Sequence, residues 1–310
     1  MAKNYDVTQS EAARRKRTRL SAALIFLAIP VTIGIGMALG QNQYMVISVA
    51  ILIYTMLPFF MVFENRKPKA REIVLIAMMS ALTVFLQMFT HITLPLQIGT
   101  AMIIISGISL GPEAGFLIGA ISRFICNFFM GQGPWTPWQM FCWGILGFLA
   151  GMVFNKVDLE QLKSRNFKLI MGPVICMIFG ILAAYICYRI WPGDDGTFLG
   201  WRLYAFGLGG LGAGVLLQRK RLPVDGITLT VFTLFTTFVI YGGIMNIYAW
   251  VHASAINGEA LSAAGLRVLY ISGVPYDAYH ASTAALCVFL FGNSIIRKLE
   301  RIKIKYGIYK

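Results

Sequence analysis

Ten apolar stretches punctuated by short polar or basic segments make up the chain: 21–40, 44–63, 73–88, 96–110, 115–130, 140–154, 169–189, 198–217, 227–251 and 272–296. Continuous apolar runs of bilayer length predict spanning helices, whereas barrel strands would alternate. The expected fold class is all-α, a polytopic membrane helical bundle. The stretch 96–110 is short. With 115–130 it reads either as two spans or as a tilted or re-entrant pair, and the parity is the same.

Segment 131–139, Gly-Gln-Gly-Pro-Trp-Thr-Pro-Trp-Gln, joins two of these runs. Its glycines and prolines predict a loop. It carries no charge but holds two tryptophans and two glutamines. That suits a binding lip, in which rings give contact area and amides give direction, or an aromatic anchor where bilayer meets water.

Composition strengthens the membrane reading. The chain is 57% apolar and 13% charged, with mean hydropathy +0.69. The net charge of +14 invites nucleic acid, but the basic residues sit in clusters between apolar runs. With the N-terminus inside, every Lys and Arg except Arg123, Arg189, Arg202 and Arg267 falls on the inner side. This places both termini in the cytoplasm of a multi-pass cell-membrane protein and excludes nucleic acid as a partner. The run 21–40 is of spanning length and reads as a first helix rather than a removed leader. All six tryptophans, Trp135, Trp138, Trp143, Trp191, Trp201 and Trp250, fall at or near the outer side. A one-sided set favours an outward-facing aromatic site over an ordinary belt. The five cysteines lie within apolar runs, with no disulfide or metal spacing.

Catalytic motifs are missing. There is no phosphate-binding loop and no zinc helix signature, so no catalytic or metal residue is assigned. Residues 107–111, Gly-Ile-Ser-Leu-Gly, match a nucleophile pattern on paper but read as helix packing. No carboxylate is expected near the bilayer midplane, which weighs against an ion-coupled carrier. Arg123 is the one cation deep in a span and needs a partner, a ligand or backbone carbonyls; Asn127 lies one turn on and shares its face. Pro275 and Asp277 suit the first turn of a last helix, with Tyr276, Tyr279 and His280 beside them. Tyr241, Asn246, Tyr248, Trp250 and His252 form a second outer cluster, and His91 and Gln97 flank another turn. Small-residue pairs Gly36/Gly40, Ala77/Ala81, Gly147/Gly151 and Gly210/Gly214 suit close helix packing.

Three runs then carry a resemblance: Leu-Pro-Leu-Gln-Ile-Gly at 94–99, Gly-Pro-Glu-Ala-Gly at 111–115 and the segment 131–140. The ending, Gly-Val-Pro-Tyr-Asp at 273–277 through His280, then Phe291-Gly and the basic stretch from Arg297, completes it. Over roughly 71–301 the chain resembles the substrate-binding (S) component of energy-coupling factor (ECF) transporters, and its outer loop is similar to members assigned to cobalamin or related corrinoids. The resemblance implies a six-helix core that captures a vitamin in an outward pocket. It implies docking on a transmembrane coupling protein driven by two ATPase subunits, which use the ATP, so the chain itself needs no cofactor. It also implies docking through an Ala-x-x-x-Ala pattern, matched by Ala77 and Ala81. Residues 1–20 form a basic cytoplasmic N-terminus, 21–63 two additional helices, 169–217 a possible inserted pair and 302–310 a basic tail that follows the last helix along the inner membrane surface.

The expected function is substrate capture for an ECF-type importer, with a corrinoid favoured over other vitamins. Trp135, Trp138, Tyr248, Trp250 and Tyr279 would supply rings. Gln132, Gln139, Asn127, Asn246 and His280 would supply hydrogen bonds, and Arg123 would hold a negative group or fix its helix. The competing classes are an autonomous secondary carrier and a membrane enzyme built on Asp277 and His280.

Overall fold

The computed structural model describes residues 70–93, 96–154, 171–191, 224–257 and 262–308, with Val31 and a few positions between 202 and 213. The expectations for 1–20 and, apart from Val31, for 21–63 lie outside the described residues. The chain divides into two compact units, one comprising 1–152 and 298–310, the other 153–297.

The first unit holds α1 (Ala70–Thr93), α2 (Ile98–Leu110), α3 (Pro112–Met130) and α4 (Thr136–Val153). Gly111 separates α2 from α3, and Pro112 and Glu113 open α3, where a missing N–H and a negative charge both fit. The first three helices pack on one another. Backbone contact seats the fourth: a Cβ on Gly107 would strike the Gly147 carbonyl, and one on Gly147 would strike the Gly115 carbonyl. Gly151 lies as close to Pro112. The expected Gly147/Gly151 packing pair is present, and residues 107–111 belong to the same glycine seam. Without a hydrophobic force between helices in lipid, such close approach is what holds them.

The tail helix α9 (Asn293–Tyr306) continues the last long helix, as its alternation of basic and apolar residues predicts. Its C-terminal part belongs to the first unit. Lys303 Nζ donates to Ser109 O at 2.6 Å, at the carbonyl end of α2, and pairs with Glu300 at 2.7 Å. A cation at that end meets the negative pole of the helix. Gly307, at φ +60°, stops α9, and the Ile308 amide returns to Lys303 O while the side chain is buried. Arg71 donates to Tyr306 O at 3.1 Å.

The second unit holds α5 (Met171–Ile190), α6 (Gly226–Thr236), a π segment (Thr237–Gly242), α7 (Gly243–Asn257), α8 (Ala263–Cys287) and a second π segment (Val288–Gly292). Within the 169–217 stretch, Gly180 of α5 lies against the Phe206 and Gly210 backbones. Asp225 caps α6, accepting from the Ile227 and Thr228 amides at 3.1 and 2.9 Å. Four helices among the described residues are long and apolar enough to cross a membrane: Ala70–Thr93, Pro112–Met130, Gly226–Ala253 and Ala263–Tyr306.

Two expectations are corrected. Helix α4 begins at Thr136, so only the first half of 131–139 is loop; Pro137 ends no helix because it sits in the first turn, where its absent N–H costs nothing. Helix α8 begins at Ala263, where the Ser262 hydroxyl accepts from Gly265 N at 3.1 Å. Pro275 is therefore inside the helix and Asp277 is no N-terminal cap.

Two measurements check this packing. Gly107→Ala should destabilise the detergent-solubilised protein by about 1–3 kcal/mol or more, since its neighbour is backbone and cannot swing aside; Gly209→Ala, with open space around it, should leave the melting temperature almost unchanged. Lys303→Met should cost roughly 1–3 kcal/mol and speed amide exchange in the last turn of α2.

Candidate functional site

The first group of expected site residues lies where the end of α3 meets the start of α4. Arg123 and Asn127 are one turn apart on α3, so both face the same way. The Gln139 Oε1 atom bridges them, accepting from Arg123 Nε at 2.8 Å and from Asn127 Nδ2 at 2.9 Å. Asn127 Nδ2 also donates to Thr136 Oγ1 at 2.9 Å, and that hydroxyl donates to Gln132 Oε1 at 2.9 Å. Gln132 Nε2 returns to Phe124 O at 3.2 Å. The loop is thus tied back onto α3 by its own amides.

The guanidinium of Arg123 lies over the Trp143 ring, 5.0 Å from the centroid. Trp143 is fully buried, and its ring edge meets Gly99. Gln87 Oε1 accepts from Gly99 N at 2.9 Å, and its Nε2 donates to Gln97 Oε1 at 3.2 Å. Side chains from α1, α3 and α4 therefore converge with the first turn of α2. Arg123 is only 8% exposed. Its Nε is taken by Gln139, while Nη1 and Nη2 find no acceptor among the described residues. Asn127 Oδ1 and Trp143 Nε1 are buried without a hydrogen bond there. Such groups are costly unless something pairs with them.

The rings of the loop take different places. Trp135 is half-buried, with Nε1 3.4 Å from Gly131 O, and packs over Gly133. Trp138 is buried in the first turn of α4. Ala77 and Ala81 lie on the exposed face of α1, with Val74, Met78 and Phe85.

The second group belongs to the second unit. Asn246 Nδ2 donates to Asp277 Oδ2 at 2.7 Å. His280 is buried, its ring edge-on to Tyr241 at 4.4 Å and to Tyr276 at 6.3 Å. Tyr248, also buried, stacks on His252 at 5.3 Å. Trp250 lies beside Gly265 near the start of α8, and Tyr279 is 38% exposed. Asp277 is 5% exposed and lies within α8 rather than at its start. The earlier helix start puts more than three turns of α8 before it.

Sequence reasoning passed over Gln87, Thr136 and Trp143 as site residues. The spacing of Asn127, Gln132, Thr136 and Gln139 around a glycine turn was the available signal for Thr136. Gln87 gave a weaker one, as an amide within an apolar run.

Residues 67–198 match the family model for the ECF-type riboflavin transporter, S component. UPF0397 protein LBA0922 of Lactobacillus acidophilus is 26% identical over 125 residues, covering 39% of this chain and 67% of that protein. No solved structure matches. The matched segment contains the whole Arg123 network, and the Asp277 group lies beyond it. Over residues 67–198 the chain is therefore similar to the S components of ECF transporters, a family of membrane transport subunits.

Proposed function

We propose that the chain is the substrate-capture subunit of an ECF-type importer, and that its ligand is a vitamin with an extended conjugated ring system and carbonyl or phosphate oxygens at its edge. The carrying observation is Arg123: fixed at Nε by Gln139, stacked on Trp143, and left with two NH₂ groups that meet no acceptor among the described residues. A held guanidinium of this kind recognises a carbonyl or anionic oxygen in a directed way. The amides of Asn127, Gln132 and Gln139 suit further polar edges, and Trp135 and Trp138 supply ring area. In the second unit Asn246, Tyr248, Trp250, Tyr279 and His280 are candidates for the same role. A corrinoid carries amides and a phosphate around a conjugated macrocycle, and a flavin carries an imide edge on a conjugated ring. The corrinoid remains the favoured ligand from the loop, and the similarity to riboflavin-transporter S components supports a flavin.

The remaining steps follow the family pattern. The exposed α1 face with Ala77 and Ala81 would dock on a transmembrane coupling protein, and two ATPase subunits would drive release. Small side chains there let two helix backbones approach closely. Both termini would lie in the cytoplasm.

The absorption spectrum of protein purified from its host decides the ligand, because corrinoids and flavins are both coloured and have different bands. Replacing Trp135 and Trp138 together by Ala should weaken binding of that ligand at least tenfold while membrane insertion continues. Wild-type affinity in the double variant would remove these rings from the pocket. Gln139→Leu should weaken binding further still, because it releases Arg123 and Asn127 at once.

A further inference from the structure

Three acidic residues are buried among the described ones: Asp225, Asp277 and Glu300. Two of them are accounted for, Asp225 by the α6 amides it caps and Glu300 by Lys303. Asp277 differs. Its one hydrogen bond among the described residues comes from a neutral amide, Asn246 Nδ2, and no Lys or Arg there pairs with it. It sits in Ala263–Tyr306, a helix apolar enough to cross a membrane. A carboxylate charge in such a place is expensive unless a positive charge or several donors meet it.

Around this pair lie further oxygens and aromatic rings. Asp277 Oδ1 and Asn246 Oδ1 receive no donor among the described residues. The carboxylate lies against Gly242 and the amide against Gly273, where any Cβ would collide with them. Gly242 ends the π segment, and such wide turns recur at functional sites. Tyr241, Tyr276 and His280 provide ring faces and edges along this stretch, while the Tyr270 hydroxyl donates to Gly243 O at 2.9 Å instead of to the acid. Acceptor oxygens beside aromatic rings are the chemistry that receives a cation.

We propose that Asp277 and Asn246 form a cation site, which takes one monovalent positive charge, carried by an alkali ion or by the ammonium group of an organic ligand. The site is internal to the second unit, and it assigns Asn246 to a cation instead of to the vitamin edge proposed above.

The test uses the full chain in detergent at constant ionic strength, with bulky N-methylglucamine chloride as background. Sodium chloride and methylammonium chloride are titrated in separately, and the melting temperature is followed. One of the two should raise it saturably: sodium identifies an alkali site, methylammonium an organic-cation site. Asp277→Asn should weaken that response at least tenfold, and the milder Asn246→Ala should also weaken it, which serves if the first variant does not fold. A response that both variants leave unchanged overturns the assignment. So does a wild-type protein that answers neither cation, its stability following pH alone, since Asp277 is then a protonated acid and nothing more.

Discussion

In an apolar bundle a buried polar group finds its partners inside the protein or goes without, and the rest of this structure depends on how that constraint is met around Arg123. Water is not at hand to finish a half-made network. Gln139 gives one oxygen to two donors, Thr136 accepts from one amide and donates to another, and Gln132 returns to the α3 backbone. All but one of these bonds join α3 to the loop or to the first turn of α4, and the Thr136–Gln132 bond ties the loop to α4. The loop is therefore shaped by the same residues that hold the arginine, and an uncharged loop is what that task calls for. A carboxylate at 139 would have met the guanidinium directly and closed it to a guest.

The network could not form without the glycine seam. Trp143 must lie beneath Arg123, and α4 carries it there only because Gly147 and Gly151 let that helix rest on the backbones of α2 and α3. Packing and polar geometry are thus coupled through α4: one side places the ring, the first turn places Thr136 and Gln139. Removing either would loosen the other, because buried amides tolerate little displacement before their bonds fail.

Much of this was legible from residues alone. Long apolar runs gave α1 through α4 to within a few positions, since such runs have few alternatives in a bilayer. Arg123 with Asn127 was visible because a lone deep cation always needs an explanation. The glycine pair at 147 and 151 was visible as a spacing. Helix starts were harder. Thr136-Pro137 looked like a breaker, yet proline is at home in a first turn, and only the neighbouring helices decide which applies. Pro275 misled in the opposite way. It was taken as a start, while the true start carries its cap at Ser262 in a stretch of modest hydropathy that composition does not mark. Gln87 and Trp143 join the cluster through tertiary contacts between distant helices, and no local pattern announces those.

The misplaced start has a chemical consequence. With α8 beginning at Ala263, Asp277 moves from a helix end to a buried position within a helix, and its role changes with its surroundings. At a helix end the carboxylate would have been served by free amides and water. Inside α8 the amides belong to the helix, and one side-chain amide remains. The two units then present opposite chemistry. The first offers guanidinium hydrogens without acceptors, and the second offers oxygens without donors. On the readings proposed above, an oxygen-bearing ligand edge would meet the first need and not the second, since a carboxylate asks for positive charge. The two groups then call for different species, the second for a cation or a proton.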